Sequence, residues 1–388
     1  MFSLSVEDHH ILSNKSTIWV AYSGGLDSCV LLHQMNYLFP HVKAIHVNHG
    51  LSPHAAEWES FCKSVCEQYN VPLQVCKVDV RVVNGSLENA ARDARYSAFE
   101  SVLQPDDVVV MAHHADDQLE TFLMRAMRGS GLDGLCGIPK TRVLGAGVLY
   151  RPLLNFTRDN LMEYARAHEL KWITDESNGD NTINRNFLRN EVIPLLKSRW
   201  QNVEATVSRV TSNLTDAKYL LEEHTAQSFD ACKVDGCNFA INADALNEMS
   251  YSTSAHILYH WLKSLGFTSL TKKNLESVLN FELPFKNREV EIYQHGHLLY
   301  ALKPIVTLSD KIKFFGDSKY QIKTRNAAQG DSNLIKSVFK AMRVPVWLRN
   351  KIPLMYDGDV FKGLPMIILP TVDNTRALKD CVIEFKGV

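Results

Sequence analysis

The feature that most constrains this chain is an apolar strand that runs into a short turn of glycine and serine. Residues 18–22 (Ile-Trp-Val-Ala-Tyr) form an almost unbroken apolar run, which is typical of a strand covered on both faces. The turn Ser23-Gly-Gly-Leu-Asp-Ser28 follows, and apolar residues then recur at helical spacing up to Phe39. This order predicts an anion site, because free N–H groups and the helix dipole point into the turn.

The residues of the turn indicate that the anion is a phosphate group accompanied by a cation. Gly24 and Gly25 allow close approach of the backbone, and the hydroxyls of Ser23 and Ser28 add donors. Asp27 would repel an anion unless a cation lay between them, so we predict that it binds Mg²⁺ that bridges to pyrophosphate. An ordinary strand-to-helix turn with a capping residue is the simpler alternative, but it would not account for all six residues from Ser23 to Ser28.

The rest of the amino-terminal half repeats the alternation of strand and helix. Further strands are predicted over residues 42–47, 73–80 and 107–112, and helices over 27–39, 53–69, 87–103 and 115–128. This alternation predicts an α/β fold with a doubly wound parallel sheet, which binds ligands at the carboxyl ends of its strands. The unusual polar residues fall at those ends, at 23–28, 48–50 and 113–120.

A second polar cluster follows the fourth predicted strand. His113 lies at the strand end, and Asp117 and Glu120 are three residues apart on one face of the next helix. Paired carboxylates suit either a second Mg²⁺ or a cationic amine that must lose a proton. Helix capping is the alternative, and it accounts for Asp116 but not for Glu120, which lies farther into the helix.

Two features beside this cluster leave alternatives open. Arg92 and Arg95 lie three residues apart and suit binding of ATP or substrate phosphate, with a surface ion pair as the alternative. The glycine-rich residues 129–137 are equally compatible with a mobile lid and with a plain surface connection.

The chain is long enough for several domains, and its character changes after a long helix predicted over residues 201–225. Residues 311–351 carry ten basic and two acidic side chains, a net charge of +8, whereas the whole chain carries −1. Such a stretch is typical of a surface that binds a phosphate backbone, and a solvated charged face is the alternative. We predict three domains: α/β residues 1–215, a middle α+β domain over 216–307, and a basic α+β domain over 308–388.

Composition and missing motifs exclude several classes of protein. The chain has eight cysteines but no CxxC pair, which argues against a zinc ribbon or a redox dithiol. Neither GxxxxGKS/T nor GxGxxG occurs, so P-loop and dinucleotide-binding turns are not predicted. The polar amino terminus and the absence of a long apolar run predict a cytoplasmic protein that does not cross a membrane.

The motifs resemble those of one enzyme superfamily and of one family within it. Ser23-Gly-Gly-Leu-Asp-Ser28 resembles the SGGxDS motif of the PP-loop ATP pyrophosphatases. Other stretches resemble the tRNA(Ile)-lysidine synthases, namely Val47-Asn-His-Gly-Leu51, Glu88-Asn-Ala-Ala-Arg-Asp-Ala-Arg-Tyr96, His113-His-x-x-Asp-x-x-Glu-Thr121, Asp175-x-Ser-Asn178, Arg185-Asn-x-x-Arg189 and Ile193-Pro-Leu-Leu196. The tail motif Val344-Pro-x-Trp-Leu-Arg-x-x-Ile-Pro-Leu354 is similar to that family's last domain. The second motif is Asn-His-Gly where the family also has His-His-Gly or Asp-His-Gly.

The resemblance implies an ATP-dependent ligase that modifies tRNA. ATP would adenylate O2 of the wobble cytidine in an isoleucine tRNA with a CAU anticodon, and L-lysine would then displace AMP to give lysidine. That change would shift codon specificity from AUG to AUA. The resemblance implies ATP and Mg²⁺ as cofactors and tRNA and L-lysine as partners, and it leaves a homodimer open.

The resemblance also implies roles for particular residues. The implied catalytic residues are Asp27, His113, Asp117, Glu120 and Arg92, with Asp27 and Asp117 as metal ligands. The implied nucleotide-binding residues are Ser23, Gly24, Gly25, Leu26, Asp27, Ser28, Asn48 and His49. The resemblance implies substrate and tRNA contacts for Arg95, Arg185 and Arg189. The basic stretch at 311–351 adds predicted tRNA contacts at Lys336, Lys340, Arg343 and Arg349.

Three other functions compete with this one. A PP-loop tRNA thiolase adenylates a base and delivers sulfur, but it needs paired cysteines that the strand ends do not offer. A small-molecule synthetase that makes GMP or NAD would leave the basic third domain without a role. A non-catalytic RNA-binding protein on a nucleotide-binding fold would not need Asp27, Asp117 and Glu120.

Overall fold

The structure is a computed structural model, and the residues it describes fall into two compact units. The described residues are 3–80, 87–174, 179–234, 237–267, 270–302, 321–323, 335–336, 354–357, 360–363, 366–367 and 383–384. The units are Met1–Tyr219 and Leu220–Val388.

The first unit is built on a six-stranded sheet. Its strands are β1 Ile18–Ala21, β2 Val42–Asn48, β3 Leu73–Lys77, β4 Val108–Val110, β5 Thr141–Leu144 and β6 Gly147–Tyr150. The strand order is β3-β2-β1-β4-β6-β5, and all neighbours are parallel except the edge pair β5 and β6. The predicted doubly wound parallel sheet is therefore confirmed.

Helices flank this sheet. They are α1 Val6–Ser13, α2 Leu26–Leu38, α3 Ala55–Gln68, α4 Leu87–Val102, α5 Ala115–Met127, α6 Leu132–Leu135, α7 Arg158–Ala167, α8 Asn184–Phe187 and α9 Ile193–Arg199, with a π-helical turn at Leu188–Val192. Ile18 and Val20 enter one hydrophobic core with α2 and α7, whereas Trp19 enters a second core with α4. Successive strand residues point to opposite faces, which explains why the strand is apolar throughout.

One element of the sheet differs from the sequence prediction. The strands and helices predicted before residue 128 are present with small shifts of their ends, but the hairpin of β5 and β6 was not predicted. Its two strands are only four residues long and are joined through Gly145, which has a φ of +55°. The glycine-rich stretch before it contains α6, and Arg125 donates to its Gly134 and Gly137 carbonyls at 2.9 and 2.7 Å.

The second unit contains smaller sheets and helices. The long helix α10 Val203–Asp230 contains the boundary between the units, and α11 Ala243–Asn247, α12 Tyr251–Ser264 and α13 Lys272–Leu279 follow. One antiparallel sheet has the order β7-β10-β9-β8, from β7 Ala240–Asn242, β8 Phe285–Lys286, β9 Glu291–His295 and β10 Leu298–Leu302. β9 and β10 form a hairpin with its turn at Gly296, which has a φ of +58°.

The carboxyl-terminal segments form two further small sheets. One contains β11 Gln321–Lys323, β12 Leu354–Asp357 and β13 Val360–Gly363, and the other pairs β14 Met366–Ile367 with β15 Ile383–Glu384. Lys336 is exposed, whereas Lys340, Arg343 and Arg349 lie outside the described residues. The predicted limits of the second and third domains stay predictions. No helix in the described part of the chain has the length and apolar character needed to cross a bilayer.

Candidate active site

The turn between β1 and α2 is shaped by hydrogen bonds of its own. Ser28 Oγ donates to the Gly25 carbonyl at 2.9 Å and accepts from the Ser23 N–H at 3.2 Å. The Ile173 N–H donates to the Gly24 carbonyl at 2.8 Å. Because Gly25 is the N-cap and provides no side-chain acceptor, N–H groups of the first turn of α2 are available to an anion.

Gly24 is a position where only glycine fits. Its φ is +85°, a conformation that residues with a Cβ rarely adopt. A Cβ there would lie 2.9 Å from Ile173 Cδ1 and 3.1 Å from Cys62 Sγ. The missing side chain lets Ile173 lie directly against the turn.

The strand ends meet at a cavity of about 1130 Å³, which is large enough for a nucleoside triphosphate. All the predicted nucleotide-binding residues except Gly24 line it, and so do Arg95, His113, Asp117 and Arg189. These residues come from the ends of β1, β2 and β4, from α4 and α5, and from the π-helical turn. The structure therefore brings together three motifs that are about 20 to 90 residues apart in the sequence.

A smaller cavity of about 310 Å³ lies beside it and is rich in arginine. Arg92, Arg95, Arg185 and Arg189 line it, together with His113 and two other residues. Arg95, His113, Asp117 and Arg189 line both cavities, so they stand at the junction between them. The four guanidinium groups outnumber the carboxylate of Asp117 around this small volume, which favours an anionic occupant such as phosphate.

His114 is a site residue that the sequence reasoning missed. Its side chain is 2% exposed, and its Nε2 lies 3.6 Å from Asp27 Oδ2 and 3.5 Å from Asp117 Oδ2. Its Nδ1 lies 3.4 Å from Asp116 Oδ2. Burial would lower the pKa of His114, but the three carboxylates raise it to about 10, so the ring is a cation at neutral pH. The only sequence signal was the second histidine of the His-His pair.

Asp27 has the features expected of a magnesium ligand. Its Oδ1 is buried and has no hydrogen-bond partner among the described residues, whereas its Oδ2 faces His114. Within those same residues, no three metal-ligating side chains converge as a complete metal site. This donor set fits Mg²⁺, which commonly binds one or two carboxylates and completes its coordination with substrate phosphates and water.

The acidic side chains of α5 have partners that differ from the expected ones. Asp117, not Asp116, caps the helix, because Asp117 Oδ2 accepts the N–H of the N-cap His114 at 3.0 Å. Asp116 instead accepts the Arg158 N–H and the Lys197 ammonium, both at 2.8 Å. Asp116 lies in the first turn of α5, as expected, but the backbone N–H of the N-cap is bound by Asp117.

Glu120 is 1% exposed and is bound on both oxygens by arginine. Arg185 Nε donates to Oε2 at 2.7 Å, and Arg189 Nε donates to Oε1 at 2.6 Å. Arg185 also donates to Asp117 Oδ1 at 2.7 Å. Burial would raise the pKa of Asp117, but His114 and Arg185 lower it, so the carboxyl is ionised. Glu120 thus orients two of the four arginines that line the smaller cavity.

The two predicted site residues at the end of β2 have different surroundings. Asn48 donates to Glu59 Oε2 at 2.9 Å and accepts the Gly50 N–H at 2.9 Å, so its side chain organises the turn before α3. His49 Nδ1 is buried and has no hydrogen-bond partner within the described residues. Burial and nearby Arg95 lower the pKa of His49, which leaves a neutral ring in the wall of the larger cavity.

Strand order, turn and cavity define a PP-loop ATP pyrophosphatase domain, and comparison with known proteins agrees. A family model described as a PP-loop domain matches residues 3–196. A tRNA(Ile)-lysidine synthase of Coxiella burnetii is 32% identical over 90% of this chain and 88% of that protein. One of Actinobacillus pleuropneumoniae is 31% identical over 92% and 97%, and one of Pseudomonas fluorescens is 43% identical over 63% and 58%. The chain belongs to the tRNA(Ile)-lysidine synthase family.

Proposed function

We propose that this chain joins L-lysine to C2 of the wobble cytidine of an isoleucine tRNA with a CAU anticodon. Cytidine O2 attacks the α-phosphate of ATP and pyrophosphate leaves. The ε-amine of lysine then attacks C2, the C2–O2 bond breaks, and AMP leaves with that oxygen while the nitrogen loses a proton. The observation that supports this most is the meeting of Asp27, His113 and Asp117 at one cavity in a member of this family.

The turn at residues 23–28 binds the pyrophosphate portion of ATP through backbone N–H groups and the hydroxyls of Ser23 and Ser28. Asp27 and Asp117 are the residues that would hold Mg²⁺, which offsets negative charge on the departing pyrophosphate. The buried Oδ1 of Asp27 is the observation that favours this assignment.

Asp117 has a second task in this proposal, which is to attract the lysine ε-ammonium and accept its proton. A carboxylate of low pKa is sufficient, because the nitrogen becomes strongly acidic once it has attacked C2. Glu120 contributes through Arg185 and Arg189, whose guanidinium groups its two oxygens hold.

The arginines of the smaller cavity and the basic carboxyl-terminal stretch are proposed to contact tRNA. Arg92, Arg95, Arg185 and Arg189 surround a volume suited to phosphates of the anticodon strand. Lys336, Lys340, Arg343 and Arg349 are proposed to contact the tRNA backbone farther from the anticodon. The proposal places the reaction in the cytoplasm, and a homodimer stays a prediction.

A thiolase is the nearest alternative, and the cysteines of the first unit do not favour it. Cys29, Cys62 and Cys66 are buried beneath the turn. Burial raises the pKa of Cys29 to about 11 and that of Cys66 to about 12, so these thiols are poor nucleophiles at neutral pH.

The test is transfer of [14C]lysine to an isoleucine tRNA transcript with a CAU anticodon. Label in acid-insoluble RNA, equal in amount to the pyrophosphate released and dependent on ATP, is expected. A matched transcript with uridine in place of the wobble cytidine should take up none. Equal labelling of both transcripts, or pyrophosphate release without label, would contradict the proposal.

A further inference from the structure

Arg151 is a buried arginine to which the proposed reaction has so far given no role. It directly follows β6, and its side chain is 2% exposed. Its guanidinium donates through Nη1 to the Pro139 carbonyl at 2.7 Å and through Nη2 to the Tyr96 hydroxyl at 3.4 Å. Its Nε donates to His113 Nδ1 at 3.2 Å.

The last of these hydrogen bonds determines the protonation of His113. An arginine remains charged and can only donate, so the nitrogen that it faces must carry a lone pair. His113 Nδ1 is therefore unprotonated, and the proton of the neutral ring is on Nε2. The ring lines both cavities, and Nε2 is its remaining polar atom.

Burial and the neighbouring arginines keep the ring of His113 neutral, and one carboxylate opposes them. Burial has the largest effect, and together with Arg151, Arg185 and Arg95 it lowers the pKa of His113 to about 3 against the opposing charge of Asp117. His113 cannot be a cation here at neutral pH. It also cannot take up a proton at Nδ1 while Arg151 is in place.

Arg151 is itself an unusual choice for packing. Within the described residues its guanidinium donates to His113, to a carbonyl and to a hydroxyl but to no carboxylate, and Arg92 and Arg142 add charge of the same sign nearby. A buried cation without a carboxylate partner is unfavourable, and an apolar side chain would fill the same space. The positive potential that results is suited to an anion at the junction of the two cavities.

We propose that Arg151 is a positioning residue that fixes His113 as a neutral imidazole protonated on Nε2, so that His113 donates a hydrogen bond to the adenylate phosphate. The inference rests on the proposed function. When lysine nitrogen bonds to C2 and the C2–O2 bond breaks, AMP leaves with the electron pair of that bond. The Nε2–H of His113 stabilises the charge of the leaving phosphate and transfers no proton.

The first test needs no substrate. Two-bond ¹H–¹⁵N correlation spectra of the full-length protein labelled with [15N]histidine report which ring nitrogen carries the proton, and His113→Gln assigns the signal. We expect Nδ1 to be unprotonated from about pH 8 down to about pH 5 in the wild type, below the ordinary histidine pKa of about 6.5. In Arg151→Met, burial still keeps the ring neutral, but no donor faces Nδ1 any longer, so we expect a population of rings with the proton on Nδ1 to appear. A wild-type ring with its proton on Nδ1 would overturn the inference.

The second test compares kcat and KM for lysine transfer. Arg151→Met should lower kcat on the order of tenfold and leave the KM for ATP within about twofold, because some of the rings then present a lone pair to the phosphate instead of an N–H. Arg142→Met is the matched control, because Arg142 carries the same charge and lies 5.2 Å over the Tyr96 ring, but does not hydrogen-bond to His113 within the described residues. It should leave kcat close to the wild-type value.

The outcomes separate this inference from the proposed function. If Nδ1 of His113 stays unprotonated in a folded Arg151→Met protein, the positioning role is refuted, because a purely structural defect lowers the active fraction without moving the ring proton. If Arg151→Met does not fold, the wild-type spectra decide the question alone. If wild-type protein transfers no lysine, the proposed function fails while the spectra still report on His113.

Discussion

Replacement of Gly24 by alanine tests whether the shape of the turn is set by steric exclusion. A residue with a Cβ at a positive φ costs about 1–2 kcal/mol. Overpacking against Ile173 Cδ1 at 2.9 Å and Cys62 Sγ at 3.1 Å adds about 1–3 kcal/mol. We therefore expect Gly24→Ala to lower the free energy of unfolding by about 2–5 kcal/mol. The turn would also shift from Ile173, so ATP affinity should fall.

Two further variants divide this effect into its parts. Gly129→Ala is the control for φ alone, because Gly129 has a φ of +69° and a Cβ there would meet nothing within 4 Å. It should cost only about 1–2 kcal/mol. Ile173→Val removes Cδ1. In the double variant with Gly24→Ala, the stability lost through overpacking should be partly recovered, whereas the cost of the positive φ should remain.

The measurements are urea unfolding of the full-length protein and calorimetric titration with ATP. Equal destabilisation by Gly24→Ala and Gly129→Ala would show that contact with Ile173 and Cys62 contributes nothing. Unchanged ATP affinity in a folded Gly24→Ala protein would refute the argument that the turn binds the nucleotide.

The remaining predictions concern charge. Asp27→Asn should abolish pyrophosphate release, and release at the wild-type rate would exclude Asp27 as a magnesium ligand. Lys63 and Asn48 lower the pKa of Glu59 to about 2. The ionised carboxylate therefore stabilises the fold above its unfolded pKa of about 4.3, and this stabilisation is lost as the pH falls towards 2. In Glu59→Gln, the free energy of unfolding in urea should depend less on pH over that interval. Lys336→Ala with Lys340→Ala should weaken tRNA binding, and the slope of log K against log salt concentration should become shallower by about 1.5. Unchanged filter binding would contradict the assignment of these lysines to the tRNA-binding surface.

Much of the candidate site could be predicted from local sequence. Alternating strands and helices imply a parallel sheet, and the carboxyl ends of such strands lie along one edge. That rule alone predicted that Asp27, His49 and His113 would meet, and the larger cavity confirms that they do. The hairpin of β5 and β6 was missed because four-residue strands have too little periodicity to predict.

The partners of the charged residues could not be predicted in this way. Arg185 and Glu120 are 65 residues apart, and their contact depends on how α8 lies against α5. Arg151 and His113 are 38 residues apart and meet only because β4 and β6 are neighbours in the sheet. No local pattern encodes these distances.

The sequence by itself determined the alternation of elements, the turn at residues 23–28 and the family of the chain. Only the tertiary structure decided the charge of the two adjacent histidines. His113 faces a guanidinium and is neutral, with a pKa of about 3, whereas His114 faces three carboxylates and is a cation, with a pKa of about 10. Two identical neighbouring residues differ because a pKa depends on burial and on charges brought close by the fold.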